Sequence, residues 1–192
     1  AMKVPISTAA DLLKGGFRHI IDDPTFESGG AGGVRRVVYC TGKIYHELVA
    51  RRNATGVSDV ALVRIEQLYP LHTDMLKKID GRYPAKAERC WVQEEPRNQG
   101  AFICIADAMR QGAGIDPRYI GRLASASPAT GSEYAHNKQQ DRILSEAIAP
   151  LPPASGSNGS HAAKAAEPKT TASTPAAKAP AVVAKPSSKR RG

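Results

Sequence analysis

Two polar loops carry the residue types with which this chain could do chemistry. Thr41, Gly42 and Lys43 join a β-branched apolar run to a helical stretch. Free backbone N–H groups at a helix N-terminus, the partial positive charge there and a lysine's full charge together make a seat for a phosphate or carboxylate. The GxxxxGK[ST] spacing of a P-loop is missing, and a tight turn with a solvated lysine is the other reading. The second loop, residues 93–100, reads QEEPRNQG. Glu94 and Glu95 are adjacent on a strand and point to opposite faces, so by themselves they are no general acid–base pair. Pro96 breaks the strand, Arg97 puts a cation at its end, and Asn98 or Gln99 can cap the next helix. From residue types alone, Glu94, Glu95, Asn98 and Gln99 read equally as a hydrogen-bonded structural loop and as an interface or ligand loop.

Elsewhere the chemistry is sparse. His46 lies beside an apolar helical stripe and His72 and His136 at helix starts, none with a second His or Cys at metal-ligand spacing. There is no GxSxG elbow and no Cys–His spacing of the kind that activates a nucleophile. Cys40 and Cys104 read as small core residues. Cys40, Cys90 and Cys104 are odd in number and form no CxxC pair, which excludes a disulfide framework and a cysteine zinc site and favours a reducing compartment. No GDG-type diphosphate and Mg²⁺ motif occurs. The residues supply anion-friendly loops without a complete catalytic or metal constellation.

The elements that must position these loops show in the periodicity. Apolar runs at residues 35–40, 59–65 and 90–93, and a brief one at 119–120, read as strands. Between them lie helical stretches. Residues 43–54 carry Ile44, Leu48 and Val49 on one face, with Glu47 four residues before Arg51. Thr73 caps a short helix whose Met75, Leu76 and Ile79 face inward. Phe102, Ile105, Ala106 and Met109 repeat along residues 99–110, stopped by Gly112 and Gly114. A last helix carries Ile143, Leu144, Ala147 and Ile148 and ends at Pro150. Strands alternating with helices predict a mostly parallel α/β sheet covered on both faces, with ligands beyond the carboxyl ends of the strands.

Outside this region the chain changes character. Leu12, Leu13, Phe17, Ile20 and Ile21 could line one face of a short helix or an extended arm, and ESGGAGG at residues 27–33 reads as a flexible link. The 192 residues carry a formal net charge of +9, of which residues 151–192 hold a net +6, with 11 Ala, 6 Pro and no aromatic side chain. Such a tail cannot bury enough apolar surface to offset its chain entropy and is expected to be disordered. The basic balance is therefore largely the tail's, which weakens a nucleic-acid reading of the folded part. No stretch has the ~20 apolar residues of a membrane span, and no secretory leader is recognised at the start.

Four blocks, in order and spacing, carry a resemblance: YCTGKIYHEL at 39–48, VRIEQLYP at 63–70, WVQEEPRNQGA at 91–101, and GRLASASPATG at 121–131 with His136, Gln139 and Gln140. Together they closely resemble the C-terminal end of the decarboxylating, thiamine-diphosphate-dependent component of 2-oxoglutarate dehydrogenase, an enzyme of the citric acid cycle. STAADLLKGGFRHIIDDP at 7–24 looks like the stretch preceding that domain, so the match covers residues 4–149.

The resemblance implies a three-layer α/β fold like the transketolase C-terminal domain, with a mostly parallel five-stranded sheet and one antiparallel edge strand. It divides the chain into an N-terminal arm and link (1–33), the α/β domain (34–149) and a tail (150–192). Thiamine diphosphate, Mg²⁺ and the catalytic histidines belong to two earlier domains of the family. This chain alone is thus expected to hold no catalytic, cofactor or metal residue and to be inactive. Its implied role is structural and regulatory, with a homodimer mate, the preceding domains and the lipoyl-bearing acyltransferase as partners, and no membrane. In some actinobacterial members this region helps form an acetyl-CoA effector site, which points an acetyl-CoA or nucleotide effector at Thr41, Gly42, Lys43 and Arg97. The compartment implied is the cytoplasm in a bacterium and the mitochondrial matrix in a eukaryote. The tail departs from the family and is compositionally like the acyltransferase's linkers. The alternative is a stand-alone protein- or nucleic-acid-binding module using the basic tail.

Overall fold

The run Val37-Val38-Tyr39-Cys40 leaves no side chain fit to face water, and a strand built from it must be covered on both sides. In the computed structural model it is the central strand of a five-stranded sheet. The strands are β1 (Ile20–Ile21), β2 (Arg36–Cys40), β3 (Val60–Ile65), β4 (Glu88–Pro96) and β5 (Arg118–Arg122), in the order β1-β3-β2-β4-β5. β1 runs antiparallel to β3 at the edge, and the other pairings are parallel. This is the mostly parallel sheet with one antiparallel edge strand that the resemblance implies. The structure describes residues 16–149 together with Ala9 and Leu13. Leu12 and the basic tail from residue 150 lie outside the described residues.

Four helices fill the outer layers: α1 (Ile44–Thr55), α2 (Thr73–Asp80), α3 (Phe102–Ala108) and α4 (Glu133–Ile148). Alternation along the strands sorts the core into two. Val37, Tyr39, Val63, Ile65 and Trp91 face Leu76 of α2, Ile105 of α3 and Met109. Val38, Cys40, Leu62 and Val92 face Leu48 of α1 and Ile143 and Ala147 of α4. From β2 the chain crosses to β3 on one side, whereas from β4 it crosses to β5 on the other. The point where the winding reverses lies between β2 and β4, and the loops after these strands are 41–43 and 97–101.

Several expectations need correction. Met75 is 42 % exposed and does not face inward; Leu76 alone of α2 is buried. Thr73 is the first residue of that helix, and His72 holds the cap position. Cys104 is exposed, not a core residue, because it sits on the outer side of α3. The helix expected over 99–110 begins at Phe102 and passes at Met109 into a π turn through Ala113, ended by the left-handed Gly114.

Ile20, Asp23 and Phe26, expected within the arm, are buried in the domain, while residues 27–33 are exposed apart from the half-buried Ala31. Glu66 and Gln67 donate backbone N–H groups to His19 O, and Phe26 is buried after a 3₁₀ turn. Asp23 is 1 % exposed. Its carboxylate pairs with the buried Arg52 of α1 and accepts the N–H groups of Thr25 at 3.0 Å and Leu62 at 2.8 Å. Asp23→Ala leaves the Arg52 guanidinium buried without a counter-charge and should cost about 3–5 kcal/mol. Urea unfolding measures it; a loss within about 1 kcal/mol of zero would mean that the pair does not seat this segment.

Candidate functional site

The C-terminal edge of the sheet, where open α/β folds take ligands, holds a connected polar cluster. Gly42 adopts φ +68°, a left-handed turn that lets the chain pass from β2 into α1. Lys43 follows, and its Nζ donates to Glu47 Oε1 at 2.7 Å and lies 3.3 Å from Glu94 Oε1. Lys43 therefore bridges α1 to β4 across the point of reversed winding. Glu47 Oε2 accepts from Gln140 Nε2 of α4 at 2.8 Å. Gln140 Oε1 in turn lies 3.4 Å from Arg122 Nη2 at the end of β5, and His136 Nδ1 lies 3.0 Å from the same nitrogen. The chain of contacts runs Glu94–Lys43–Glu47–Gln140–Arg122–His136 and ties β4, α1, α4 and β5.

Electrostatics follow from these contacts. The hydrogen bond to Glu47, with Glu94 nearby, holds the Lys43 ammonium above its ordinary pKa against partial burial. Burial alone would raise Glu47, but the hydrogen bonds from Lys43 and Gln140 outweigh it and hold its carboxyl below the ordinary value. The ammonium expected to receive a ligand anion is thus already met by two carboxylates of this chain. Arg97 does not join the cluster: its guanidinium lies 5.6 Å from the Phe102 ring centroid and 5.8 Å from that of Tyr119. The thiols of Cys40 and Cys90 are pushed up to about 12 by burial, which keeps them protonated and inert.

The second predicted loop is organised by a residue the sequence reading passed over. Gln93 is buried; its Oε1 accepts from Trp91 Nε1 at 2.9 Å and Phe102 N at 3.0 Å, and its Nε2 donates to Gln99 O at 2.8 Å and Pro96 O at 3.2 Å. Its signal was an amide following an apolar strand run. Asn98 exchanges two hydrogen bonds with the Ser125 backbone, at 3.0 and 2.9 Å, and Gln99 Nε2 donates to the same Ser125 O at 2.9 Å. Glu94 turns toward Lys43, while Glu95 lies beside Gly100, so the two carboxylates do separate. Asn98 and Gln99 dock the loop after β4 onto the loop after β5. Arg122 and Gln140 entered the sequence reading only inside the resembling blocks, because neither stands in a motif of its own.

Two changes test this geometry. A Cβ on Gly100, at φ +67°, would lie 2.9 Å from Gln93 Nε2 and 3.0 Å from Glu95 Cβ. Gly100→Ala should cost about 2 kcal/mol or more by chemical denaturation, from left-handed strain and the close approach. Because the folded pKa of Glu47 is depressed, its stabilisation is present above the ordinary carboxylate range and is lost as pH falls through the lowered folded value. Glu47→Gln should therefore melt below the parent at about pH 7, with the gap closing in acid. A gap unchanged by pH would mean that the carboxylate charge contributes nothing.

Against this geometry, comparison with known proteins is direct. The family described as 2-oxoglutarate dehydrogenase C-terminal matches residues 6–148. The 2-oxoglutarate dehydrogenase E1 component of Azotobacter vinelandii is 40 % identical over 151 residues, covering 76 % of this chain and 16 % of that protein. The multifunctional 2-oxoglutarate metabolism enzyme of Mycobacterium sp. (strain KMS) is 40 % identical over 153 residues, 77 % of this chain and 12 % of that one. The mitochondrial 2-oxoglutarate dehydrogenase of Caenorhabditis briggsae is 40 % identical over 134 residues, 68 % of this chain and 13 % of that protein. The chain thus spans between 12 % and 16 % of the length of these relatives. On these matches the chain belongs to the 2-oxoglutarate dehydrogenase C-terminal family.

Proposed function

We propose that this chain serves as the C-terminal structural and regulatory part of a 2-oxoglutarate dehydrogenase E1 enzyme, an oxidoreductase dependent on thiamine diphosphate. In this reading it supports the dimer and the preceding domains of the enzyme and leaves the decarboxylation to them. The observation that carries the reading is the family match over residues 6–148, in relatives of which this chain covers so small a share. The relatives' names are those of whole enzymes, and their activity comes to this chain only as part of such an assembly. Partnership with a lipoyl-bearing acyltransferase belongs to the same proposal, as do the citric acid cycle and a bacterial cytoplasmic or mitochondrial setting.

The described residues do not fit a thiamine diphosphate and Mg²⁺ site. Among them no group of three or more His, Cys, Asp or Glu could hold a metal ion. Their polar loops spend their hydrogen bonds on each other, as Gln93 and Asn98 show. They do offer apolar surface to a neighbour: Tyr69 is 91 % exposed and Ile103 63 %. An open groove of about 810 Å³ runs past Leu68, Tyr69, Leu71 and Ile105. The exposed Tyr69 beside this groove supports a docking role. No helix among the described residues is long and apolar enough to cross a membrane. An effector held by Thr41, Gly42, Lys43 and Arg97 would have to draw Lys43 away from Glu47 and Glu94, and that reading rests on the resemblance alone.

Complementation tests the proposal. An E1 protein cut before the matching region and the 192-residue chain are assayed apart and mixed, with 2-oxoglutarate, thiamine diphosphate, Mg²⁺ and an artificial electron acceptor. Neither alone should turn over, and the mixture should. Turnover by this chain alone, or a mixture as inactive as its parts, would overturn the reading.

A further inference from the structure

Three arginines of the domain are more than nine-tenths buried: Arg36, Arg52 and Arg122. Arg36 is paired with Glu88 and Arg52 with Asp23. Arg122, at 8 % exposure, is paired with no carboxylate among the described residues. Its Nη2 lies 3.0 Å from His136 Nδ1 and 3.4 Å from Gln140 Oε1. Its Nε is buried without any hydrogen-bond partner. A guanidinium does not shed its proton inside a protein, so this is a full charge held out of water with one edge of its fork unmet. Leaving such a charge uncompensated costs several kcal/mol.

Arg122 lines a cavity of about 520 Å³ between the end of β5, the loop that follows it and the outer side of α4. That volume lies within the range of small-molecule sites. A second guanidinium, Arg142, shares the wall, with Glu146 Oε2 3.4 Å from its Nη1, and no Asp or Glu lines the cavity itself. Arg142 is fixed by donating to Gly121 O at 2.8 Å. Gln139, also in the wall, has a buried Oε1 without a partner. The remaining wall, including Leu123, Ala124, Pro128 and Ala129, is apolar or small.

We propose that this cavity is a binding site for a small free molecule through an oxyanion head, phosphate or carboxylate, received by the guanidinium of Arg122, whose charge no carboxylate among the described residues meets, with Arg142 beside it. The site is separate from Lys43, whose charge is met within the chain. It takes its charge selectivity from a wall with two cations and no anion. The oxyanion supplies the counter-charge that Glu88 and Asp23 supply to the other two buried arginines.

The test uses the 192-residue chain at constant ionic strength. It is melted in rising pyrophosphate, which carries the phosphate arm, and rising malonate, which carries the carboxylate arm, with sodium chloride as the control. At least one of the two should raise Tm saturably, as a ligand of the native state must; which one does so assigns the head group. Arg122→Gln should abolish the rise, Arg142→Gln should weaken apparent affinity about tenfold, and Arg110→Gln, outside the cavity wall, should leave it unchanged. Because a variant could fail to fold, the Arg122 Nε–H and His136 ring resonances of the unaltered chain are followed as well, and both should shift with the same saturation. No saturable effect beyond sodium chloride, a rise that survives Arg122→Gln, or resonances that stay fixed while Tm rises would overturn the proposal.

Discussion

Arg36 opens the central strand with 1 % of its surface exposed, and the way its charge is met organises both ends of the domain. Its Nε donates to Glu88 Oε2 at 2.6 Å, which joins the first residue of β2 to the first residue of β4. Its Nη1 donates to the carbonyls of Glu146, Ala147 and Ala149 at 2.9, 2.8 and 3.0 Å. These last carbonyls of α4 have no backbone N–H to receive, and a cation there also favours the negative end of the helix dipole. At 1.5 Å per residue, 16 residues of helix reach about 24 Å. A helix pinned at one rim of the sheet by Arg36 thus delivers His136, Gln139 and Gln140 to the other rim, beneath Arg122.

That far rim is where the fold class places ligands, and this chain divides it. Between β2 and β4, Lys43 faces Glu47 and Glu94, and the lysine charge is more than met, leaving the trio one negative charge. The pairing is structural: it ties α1 to β4 across the crevice. Beyond β5 the balance is different. The polar chain continues through Gln140, a neutral amide that relays hydrogen bonds without relaying charge. At this rim the cation without a carboxylate partner among the described residues is Arg122, while Arg142 beside it lies 3.4 Å from Glu146 Oε2.

Legibility in the sequence followed burial. The runs at 35–40 and 59–65 are apolar because both their faces are covered, and they form β2 and β3 within a residue of their expected bounds. β1 was not legible, since two residues give no period, and it exists by pairing Ile20 with Ile65 and Ile21 with Arg64. β4 runs on to Pro96, past its apolar part, because Lys43 takes Glu94 on one face and the Gln93 amide holds the loop on the other. Met75 and Cys104 carried the right residue type on the wrong side of a short helix, where one step of about 100° separates core from solvent. Lys43 and the loop of Asn98 and Gln99 were found by type. The partners Ser125 and Gln140 were not, because they are distant in sequence and meet only when the sheet edge assembles.

The same distinction separates a cation that builds the fold from one that is available to do something else. A buried arginine can be oriented by carboxylates, which fix and neutralise it together, or by neutral acceptors, which fix it and leave its charge intact. Arg36 and Arg52 are of the first kind. Arg122 is of the second. Arginine can only donate, and its Nη2 lies 3.0 Å from His136 Nδ1. Gln140 Oε1 accepts from the same nitrogen, while its Nε2 is engaged by Glu47 one step further out. A carboxylate at either place would have cancelled the field at the cavity wall. An imidazole and an amide, presented four residues apart on one face of α4, aim the guanidinium without discharging it.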